Sequence, residues 1–309
     1  MNVYLKFVVL CLTLTGVSCA QINNEHKPDL SIGIIADCQY HQREHRRERH
    51  YNLSADKLAQ AVHVLNEQSI DWSIHLGDFI DKEYQSYQTL LPIWQMLKSP
   101  GHHVLGNHDF SVKEELKSTV PDILNMPARY HDFSQSNWRF VIIDGNDLSL
   151  YAYPKNSEQH LVSEQAFKNF QQTLPAEKEL HSYNGALGSK QMTWLKAVLD
   201  DAQNLEQQVV LFSHFPIYPM NAHNLWNDAA VVKLLEQYSS VFAWFNGHNH
   251  IGNYGFKNGI HYVTFKAMVN TTQNAFATAN FYPDKIEIFG HGRQKSMILP
   301  RGKQIDISK

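Results

Sequence analysis

Apolar residues lie along the chain in short continuous runs that alternate with helical patterns. The continuous runs predict buried strands at 30–36, 72–76, 103–105, 138–143, 209–212 and 241–245. Apolar residues spaced by three or four predict helices that begin near Ser54, Ser189 and Ala229, and another over 90–97 that stops at Pro100 and Gly101. We expect Ser54 to cap the first helix. From Ile260 onward only strand-like patterns remain, so the sequence predicts an α/β protein with mixed sheets and helices outside them.

The segment 144–188 has no strong periodicity, and we expect it to be a long functional insertion. The run of charged residues over 43–50 is expected to be mostly a solvated loop. No internal repeat or low-complexity tract divides the sequence. We therefore predict one domain over 30–300, preceded by a polar linker at 21–29 and followed by a tail at 301–309.

Composition changes this picture only slightly. The 309 residues are 43% hydrophobic and 18% charged, which is ordinary for a soluble globular protein. A formal net charge of -3 gives no basic field for a nucleic acid polymer, so none is expected as a partner. The 18 histidines are more than usual for this length, and histidine is the commonest metal ligand.

The first twenty residues have the layout of a secretory signal peptide. Lys6 is their only charge, an apolar run follows at 7–14, and small residues stand at Gly16, Ser18 and Ala20. The run is too short to span a bilayer stably. We therefore expect an exported protein, periplasmic or secreted, with residues 1–20 as the signal peptide.

Two fates of this segment stay open. Cleavage after Ala20 fits the preference for small residues at the cut, whereas Cys19 offers lipidation, which would be the chain's one link to a membrane. Cys11 lies in the same segment, so only Cys38 belongs wholly to the mature domain and no internal disulfide is possible.

Five short polar segments each follow a predicted strand. They are Asp37-Cys38-Gln39, Gly77-Asp78, Gly106-Asn107-His108-Asp109, Ser213-His214-Phe215-Pro216 and Gly247-His248-Asn249-His250. Open α/β sheets place their active sites at the carboxyl ends of strands. Oxygens from Asp, Gln and Asn with nitrogens from His suit manganese, iron or zinc. Each segment is weak by itself, but their joint occurrence in this order predicts a metal site.

Asp78 is the natural bridging ligand, because two nearby cations repel unless an anion lies between them. Alternate residues of an extended chain point the same way, so the imidazoles of His248 and His250 can converge. Arg49 is the member of the charged run that we expect to contact a substrate phosphate, since a guanidinium pairs bidentately with phosphate.

The order Asp-x-Gln, Gly-Asp, Gly-Asn-His, His, Gly-His-x-His resembles that of calcineurin-like metallophosphoesterases. Most members have His where this chain has Gln39, and this departure resembles the manganese-dependent ADP-ribose/CDP-alcohol diphosphatases. Further matching segments are Arg49-His50-Tyr51, Asn184-Gly185, Leu225-Trp226-Asn227 and Gly259-Ile260-His261. The similarity extends over about 30–299.

The resemblance implies a four-layer αββα sandwich of two mixed β-sheets flanked by helices. It implies one metal held by Asp37, Gln39, Asp78 and His250, and another held by Asp78, Asn107, His214 and His248. Both are divalent, with manganese expected first and iron or zinc as alternatives. His108 resembles the family's acid, which protonates the leaving oxygen or stabilises charge there.

The implied reaction is hydrolysis of the phosphoanhydride bond of a nucleoside diphosphate-X substrate, such as ADP-ribose or a CDP-alcohol, by a hydroxide that bridges the metals. Two alternatives stay open. One is a phosphomonoesterase or cyclic-nucleotide phosphodiesterase with the same metals, and the other is a secreted metal-binding protein without turnover. The sequence leaves the oligomeric state undetermined.

Overall fold

The computed structural model describes residues 27–175 and 177–305. The predicted signal peptide at 1–20 lies outside the described residues, as do linker residues 21–26 and the last four residues of the tail. Within the described ranges, no helix combines the length and the apolar character that crossing a membrane requires.

The first third of the chain alternates strands and helices. Its elements are β1 (Leu30–Ile35), β2 (His45–Arg46), β3 (Arg49–His50), α1 (Ser54–Asn66), β4 (Trp72–His75), α2 (Gln85–Trp94) and β5 (Gly101–His103). Two 3₁₀ helices follow at His108–Phe110 and Glu114–Thr119.

The remaining elements begin with α3 (Val120–Ile123), β6 (His131–Gln135), β7 (Trp138–Ile142), α4 (Glu158–Thr173), α5 (Ser189–Asn204), β8 (Gln208–Ser213) and α6 (Asp228–Leu235). The chain then runs through β9 (Val241–Asn246), β10 (Asn253–Lys257), β11 (Ile260–Thr264), β12 (Ala275–Tyr282), β13 (Lys285–Gly292) and β14 (Met297–Pro300).

Twelve of the strands form two six-stranded mixed sheets. The first sheet has the order β14-β13-β12-β1-β4-β5, and the second has the order β10-β11-β9-β8-β7-β6. Strands β1, β4 and β5 are parallel, and so are β7, β8, β9 and β11, while the outer pairs are antiparallel. The parallel strands therefore end together at one edge of each sheet.

The two sheets pack face to face over an aromatic core. The ring of Trp138 lies 5.0 Å from that of Phe281, and Phe140 lies 5.5 Å from the same ring, so the second sheet packs directly against the first. Trp72 adds an edge-on contact to Phe140 at 4.8 Å. Edge-to-face pairs of this kind stabilise beyond their buried area, by about 0.5–1.5 kcal/mol each.

Helices cover the outer face of each sheet. Leu58, Val62 and Leu65 make α1 amphipathic, and its buried face packs on β1 where Gly33 has no side chain to obstruct Leu65. On the other side, α5 and α6 bury their apolar residues, including Leu195 and Val231, against the second sheet. The predicted four-layer αββα sandwich is confirmed.

Several local predictions need correction. Ser54 does not cap α1: Leu53 occupies that position, and the Ser54 backbone N–H already donates to Tyr51 O at 3.2 Å, so the turn starts earlier. Helix α2 ends at Trp94 rather than near Pro100, because the Trp94 indole packs over Gly101. Strand β5 begins at this glycine, two residues earlier than expected. The segment 144–188 contains the 16-residue helix α4, which periodicity did not indicate.

Candidate active site

The five polar segments all lie just beyond strand ends and come together between the two sheets. Asp37 and Gln39 follow β1, Asp78 follows β4, and Asn107 and His108 follow β5. From the second sheet, His214 follows β8, and His248 and His250 follow β9. The structure thus brings all eight predicted side chains to one edge of the sandwich, where parallel sheets present their functional loops.

Two glycines allow these loops to approach each other. Gly77 has φ +87°, and a Cβ atom there would stand 2.6 Å from His214 Nδ1. A Cβ on Gly106 would stand 2.2 Å from both the Asp78 backbone nitrogen and Asp78 Oδ1. Any side chain at either position would push the neighbouring loops apart, so both glycines are required by the site.

Asp78 is the centre of the site. Its Oδ1 accepts a hydrogen bond from the His108 backbone N–H at 2.8 Å, and its Oδ2 accepts one from Gln39 Nε2 at 2.8 Å. His214 Nε2 lies 3.3 Å from the same Oδ2. Asp78 is 1% exposed, and its backbone has φ +57°, a conformation that non-glycine residues rarely adopt.

One group of donors gathers around His214. His214 Nε2 lies 3.2 Å from Asn107 Oδ1 and 3.1 Å from His248 Nδ1. Ligand atoms of Asp78, His214 and His248 all lie within 4.8 Å of one another. A carboxylate, an amide oxygen and two imidazoles therefore face one small volume.

A second group of donors consists of Asp37, Gln39 and His250. His250 Nε2 stands 3.7 Å from Asp37 Oδ1, and the Asp37 carboxylate accepts the His248 backbone N–H at 3.2 Å. Gln39 uses its amide nitrogen on Asp78, which leaves its buried Oε1 without a hydrogen-bond partner. A buried acceptor without a partner is costly unless a ligand completes it.

Each imidazole is oriented by an acceptor on its far nitrogen. His214 Nδ1 is 2.8 Å from Leu76 O, His248 Nε2 is 2.8 Å from Asn184 Oδ1, and His250 Nδ1 is 2.9 Å from Asn270 Oδ1. Donation to these oxygens leaves the opposite nitrogen of His248 and His250 as a lone pair facing the site. Metal-ligating histidines in proteins are held in this way. Burial would lower the pKa of His214, but Asp78 outweighs it and raises the value to about 9, so His214 Nε2 must lose a proton before it can ligate an ion.

Asn184 is itself fixed. Its Nδ2 donates to Ala222 O at 2.9 Å and to Asn224 O at 3.0 Å, which turns its amide oxygen toward His248. Because both amide hydrogens are used, the side chain cannot flip without losing two hydrogen bonds.

The ionisable groups of the site perturb one another strongly. Burial raises the pKa of Asp37 to about 7, with the nearby Asp78 charge adding to the effect. Burial alone would raise the pKa of Asp78, but the adjacent His214 and His108 outweigh it and hold it well below its usual value. Burial lowers the pKa of His250 to about 3 and that of His248 well below its usual value, so both rings are neutral and able to ligate.

His108 lies at the rim of the site and has an acidic partner that the sequence did not reveal. His108 Nδ1 is 2.9 Å from Asp81 O and 3.3 Å from Asp81 Oδ1, and Arg43 pairs with the other Asp81 oxygen at 2.5 Å. Burial would lower the pKa of His108, but Asp78 and Asp81 outweigh it and raise the value to about 9. His108 is therefore protonated at neutral pH, with Nε2 as its free nitrogen.

Asp109 does not face the cavity but fixes the loops beneath it. Its carboxylate accepts the backbone N–H groups of Asp78 at 3.0 Å, Gly106 at 2.9 Å and Phe79 at 2.9 Å. The Tyr87 hydroxyl donates to it as well, at 3.2 Å. One buried side chain thus ties the loop after β4 to the loop after β5.

A cavity of about 360 Å³ opens above the donors. The predicted site residues that line it are Gln39, Arg49, Asp78, Asn107, His108, His248 and His250. Tyr183 and His223 complete the wall, and the Tyr183 ring lies 5.8 Å from that of His248. Arg49 therefore shares one cavity with Asp78, although it lies on the hairpin of β2 and β3.

Sequence reasoning gave no role to five residues that build the site: Asp81, Asn184, Asn270, Tyr183 and His223. Asn184 was named only as part of a segment on which the family resemblance rests. Asp81 lies three residues after Asp78, which is the one local signal that could have drawn attention to it. Asn184 lies 64 residues from His248 in the chain and Asn270 lies 20 from His250, so only the fold shows these pairs.

The donors fit a pair of divalent cations. Three imidazoles, two carboxylates and two amide oxygens form two groups that share Asp78, and the buried Gln39 Oε1 has no hydrogen-bond donor. Hard oxygen donors with imidazole nitrogen suit manganese-like ions and exclude a thiolate site.

Fold and site together define a metal-dependent phosphoesterase. The family model for calcineurin-like phosphoesterase matches residues 30–252. A curated relative from Oryza sativa subsp. japonica, named manganese-dependent ADP-ribose/CDP-alcohol diphosphatase, is 30% identical and aligns with 86% of this chain and 92% of its own. A Danio rerio relative of the same name is 29% identical, with 88% and 98% covered. The chain belongs to the calcineurin-like phosphoesterase family.

A solved structure supports the same assignment. A dimetal phosphatase from Danio rerio superimposes with a TM-score of 0.79 at 27% identity, covering 89% of this chain and all of that one. The predicted family is thereby confirmed, and the expected manganese cofactor agrees with the names of the curated relatives.

Proposed function

We propose that this enzyme hydrolyses the phosphoanhydride bond of nucleoside diphosphate-X substrates, with ADP-ribose and CDP-alcohols as the first candidates. The observation that carries the proposal is one cavity in which two donor groups share Asp78 while His108 and Arg49 line the wall. The names of the curated relatives support the choice of substrate class.

The donor groups suggest how two Mn²⁺ ions would be held. Asp37, Gln39, Asp78 and His250 would hold one ion, while Asp78 with Asn107, His214 and His248 would hold the other. When bound, such ions supply Lewis acidity and an activated water.

The chain's own residues act on the rest of the substrate. Protonated His108 stands at the rim with Nε2 free, so it can give a proton to the leaving oxygen. The Asp78 and Asp81 carboxylates keep that ring charged, and Asp81 holds it in place. Arg49 enters the same cavity and can pair with the phosphate next to the scissile bond.

The substrate proposal is tested with metal-stripped enzyme and a panel of substrates. ADP-ribose, a CDP-alcohol, a phosphomonoester and a cyclic nucleotide would each be assayed after addition of Mn, Mg, Zn or Fe. We expect Mn to restore the highest kcat/KM, on one of the two diphosphates, with two phosphomonoesters as products. Highest turnover of the phosphomonoester or the cyclic nucleotide would reject the proposal, and no turnover of any substrate would favour a binding protein.

We further propose that the protein is exported, as the charge and apolar run of residues 1–20 suggest. Cell fractionation followed by mass spectrometry of the mature amino terminus would test this. A chain beginning at Gln21 would indicate ordinary cleavage, and a lipid on Cys19 would indicate anchoring. An intact Met1 on cytoplasmic protein would refute export.

A further inference from the structure

The charged run over 43–50 is exposed over 44–48, as the sequence predicted, and residues 46–49 also line a second cavity. Strands β2 and β3 pair as a hairpin whose turn is Arg47-Glu48, with Arg47 at φ +55°. The cavity measures about 560 Å³, and Arg46, Arg47 and Arg49 line it. Three guanidinium groups therefore border one space beside the candidate metal site.

This hairpin is fixed to the body of the protein. The His50 backbone N–H donates to Val269 O at 2.8 Å, and the Thr271 N–H donates to Glu48 O at 2.7 Å. Arg49 forms an antiparallel bridge with Asn270, the residue that orients His250. These contacts hold β3 and the turn, and β2 is held through its pairing with β3, so the backbone of all three arginines is fixed.

Within the described residues, the hairpin arginines differ from nearby Arg43 in having no carboxylate that pairs with them. Arg43 is paired with Asp81 and lies over the Tyr51 ring at 3.9 Å. Across residues 27–175 and 177–305, no carboxylate lies within 4.0 Å of the charged groups of Arg46, Arg47 or Arg49. Their positive charge is available to a ligand.

The one acid in the wall of this cavity does not neutralise them. Burial lowers the pKa of the Arg293 guanidinium. The nearby Glu48 carboxylate partly offsets that lowering. With three arginines and one acid among its lining residues, the cavity keeps a positive balance and suits an anion.

The two cavities adjoin each other and share part of their wall. Both are lined by Arg49, His223, His248 and His250. A substrate with its scissile phosphate near Asp78 would extend past Arg49. The part of the substrate beyond Arg49 would then reach Arg46 and Arg47.

We propose that Arg46 and Arg47 form a second anion subsite, which selects nucleoside diphosphate-X substrates carrying an additional phosphate outside the hydrolysed phosphoanhydride. A guanidinium fork matches the oxygens of a phosphomonoester, and its charge-assisted hydrogen bonds are stronger than neutral ones. This inference rests on the proposed function, because it adds a specificity to the same reaction. Arg46 and Arg47 are specificity-determining residues and take no part in the chemistry.

Matched substrates that differ by one phosphate test the subsite. Dephospho-coenzyme A and coenzyme A differ by a phosphate on the nucleoside, and ADP-ribose and its 1″-phosphate differ by one at the far end. For at least one pair we expect the phosphorylated member to have a KM lower by about tenfold or more. This advantage should shrink in high salt, because Arg46 and Arg47 are exposed.

The double variant Arg46→Gln/Arg47→Gln should bring the kcat/KM ratio of that pair close to one. A matched control, Lys168→Gln/Lys190→Gln, removes the same charge from exposed positions on α4 and α5 and should leave the ratio as in the wild type. Ratios near one for both pairs in the wild type would overturn the proposal, as would a ratio that survives in the double variant.

A binding measurement separates this inference from the proposed function. Calorimetry on Mn-loaded enzyme would compare AMP with adenosine 3′,5′-bisphosphate, and ribose 5-phosphate with ribose 1,5-bisphosphate. Tighter binding of one bisphosphate by about tenfold, lost in the double variant, would support the subsite even if no diphosphate were hydrolysed. Equal affinities in both comparisons would reject it while leaving the proposed reaction intact.

Discussion

The two sheets contribute different chemistry to the candidate site. The first sheet supplies oxygens, from Asp37, Gln39, Asp78 and Asn107, and three of these residues have positive φ, at 52°, 43° and 57° in chain order. The second sheet supplies three imidazoles, of which only His248 has a positive φ, at 66°. The oxygen donors are positioned by tight backbone turns, whereas the imidazoles are positioned by hydrogen bonds to their far nitrogens.

This difference shows where each half of the site is vulnerable. An oxygen donor on a strained turn has few ways to be replaced, because the backbone conformation and the side chain are selected together. An imidazole can remain in place while its orienting partner is removed, so its affinity for metal can be reduced in steps. Substitutions on the two sides should therefore differ in severity.

The largest effect is expected for Asp78→Asn on the oxygen side. The shared carboxylate would lose its charge, and two cations could no longer be held close together. We expect metal content to drop and turnover to fall by more than about 10⁴-fold, since most of the acceleration of such reactions depends on the ions. Elemental analysis and kcat on the same preparation check this, and an active Asp78→Asn variant with full metal content would contradict the bridging assignment.

His108→Ala should produce the next largest effect. Turnover should fall by about 10² to 10⁴, the usual range for a positioned acid, while metal content and folding remain intact. The loss should be larger for a substrate with a poor alkoxide leaving group than for an aryl phosphate, whose leaving group needs no proton. Equal losses together with lost metal would show instead that His108 only supports the loop that carries Asn107.

On the imidazole side, Asn184→Ala should have an intermediate effect. His248 would keep its place but lose the acceptor for Nε2, so we expect Mn²⁺ affinity to fall by about 10- to 100-fold and excess metal to restore much of the activity. The control is Asn204→Ala, the same substitution on the exposed end of α5.

Calorimetric Mn²⁺ titration of wild type and both variants measures that change. Thermal unfolding of the metal-free proteins shows whether the lost hydrogen bonds to Ala222 and Asn224 weaken the fold itself. Unchanged Mn²⁺ affinity in the Asn184→Ala variant would rule out a role for Asn184 in orienting His248.

The smallest effect is expected for Gln39→His. Histidine accepts the positive φ of this position better than most residues and is a stronger donor than an amide. We expect the fold to persist and the Mn²⁺ concentration for half activity to fall by roughly three- to tenfold. Weaker apparent binding in the variant would mean that the Gln39 hydrogen bond to Asp78 matters more than the quality of the donor.

Sequence patterns located most of the strands and all of the donor segments, because buried strands leave apolar runs and their ends carry the polar residues. Sequence patterns did not reveal α4. The buried residues of this helix are His160 and Ser163, so it lacks an apolar stripe. The edge strands β6 and β10 are half-exposed and also lack a continuous run.

Residues that act through another residue were not predictable from the chain. Asn184 and Asn270 are ordinary asparagines until the fold places them behind His248 and His250. The hairpin of β2 and β3 has strands of two residues, too short for any alternation to show, so its cavity could not be foreseen.

The central claim is that oxygen donors of one sheet and imidazoles of the other hold two ions with Asp78 between them. Its most direct test is elemental analysis of protein loaded with Mn²⁺, desalted and shown to be active. The account predicts about two manganese ions per chain. One ion or none per chain, in protein of full activity, would contradict it.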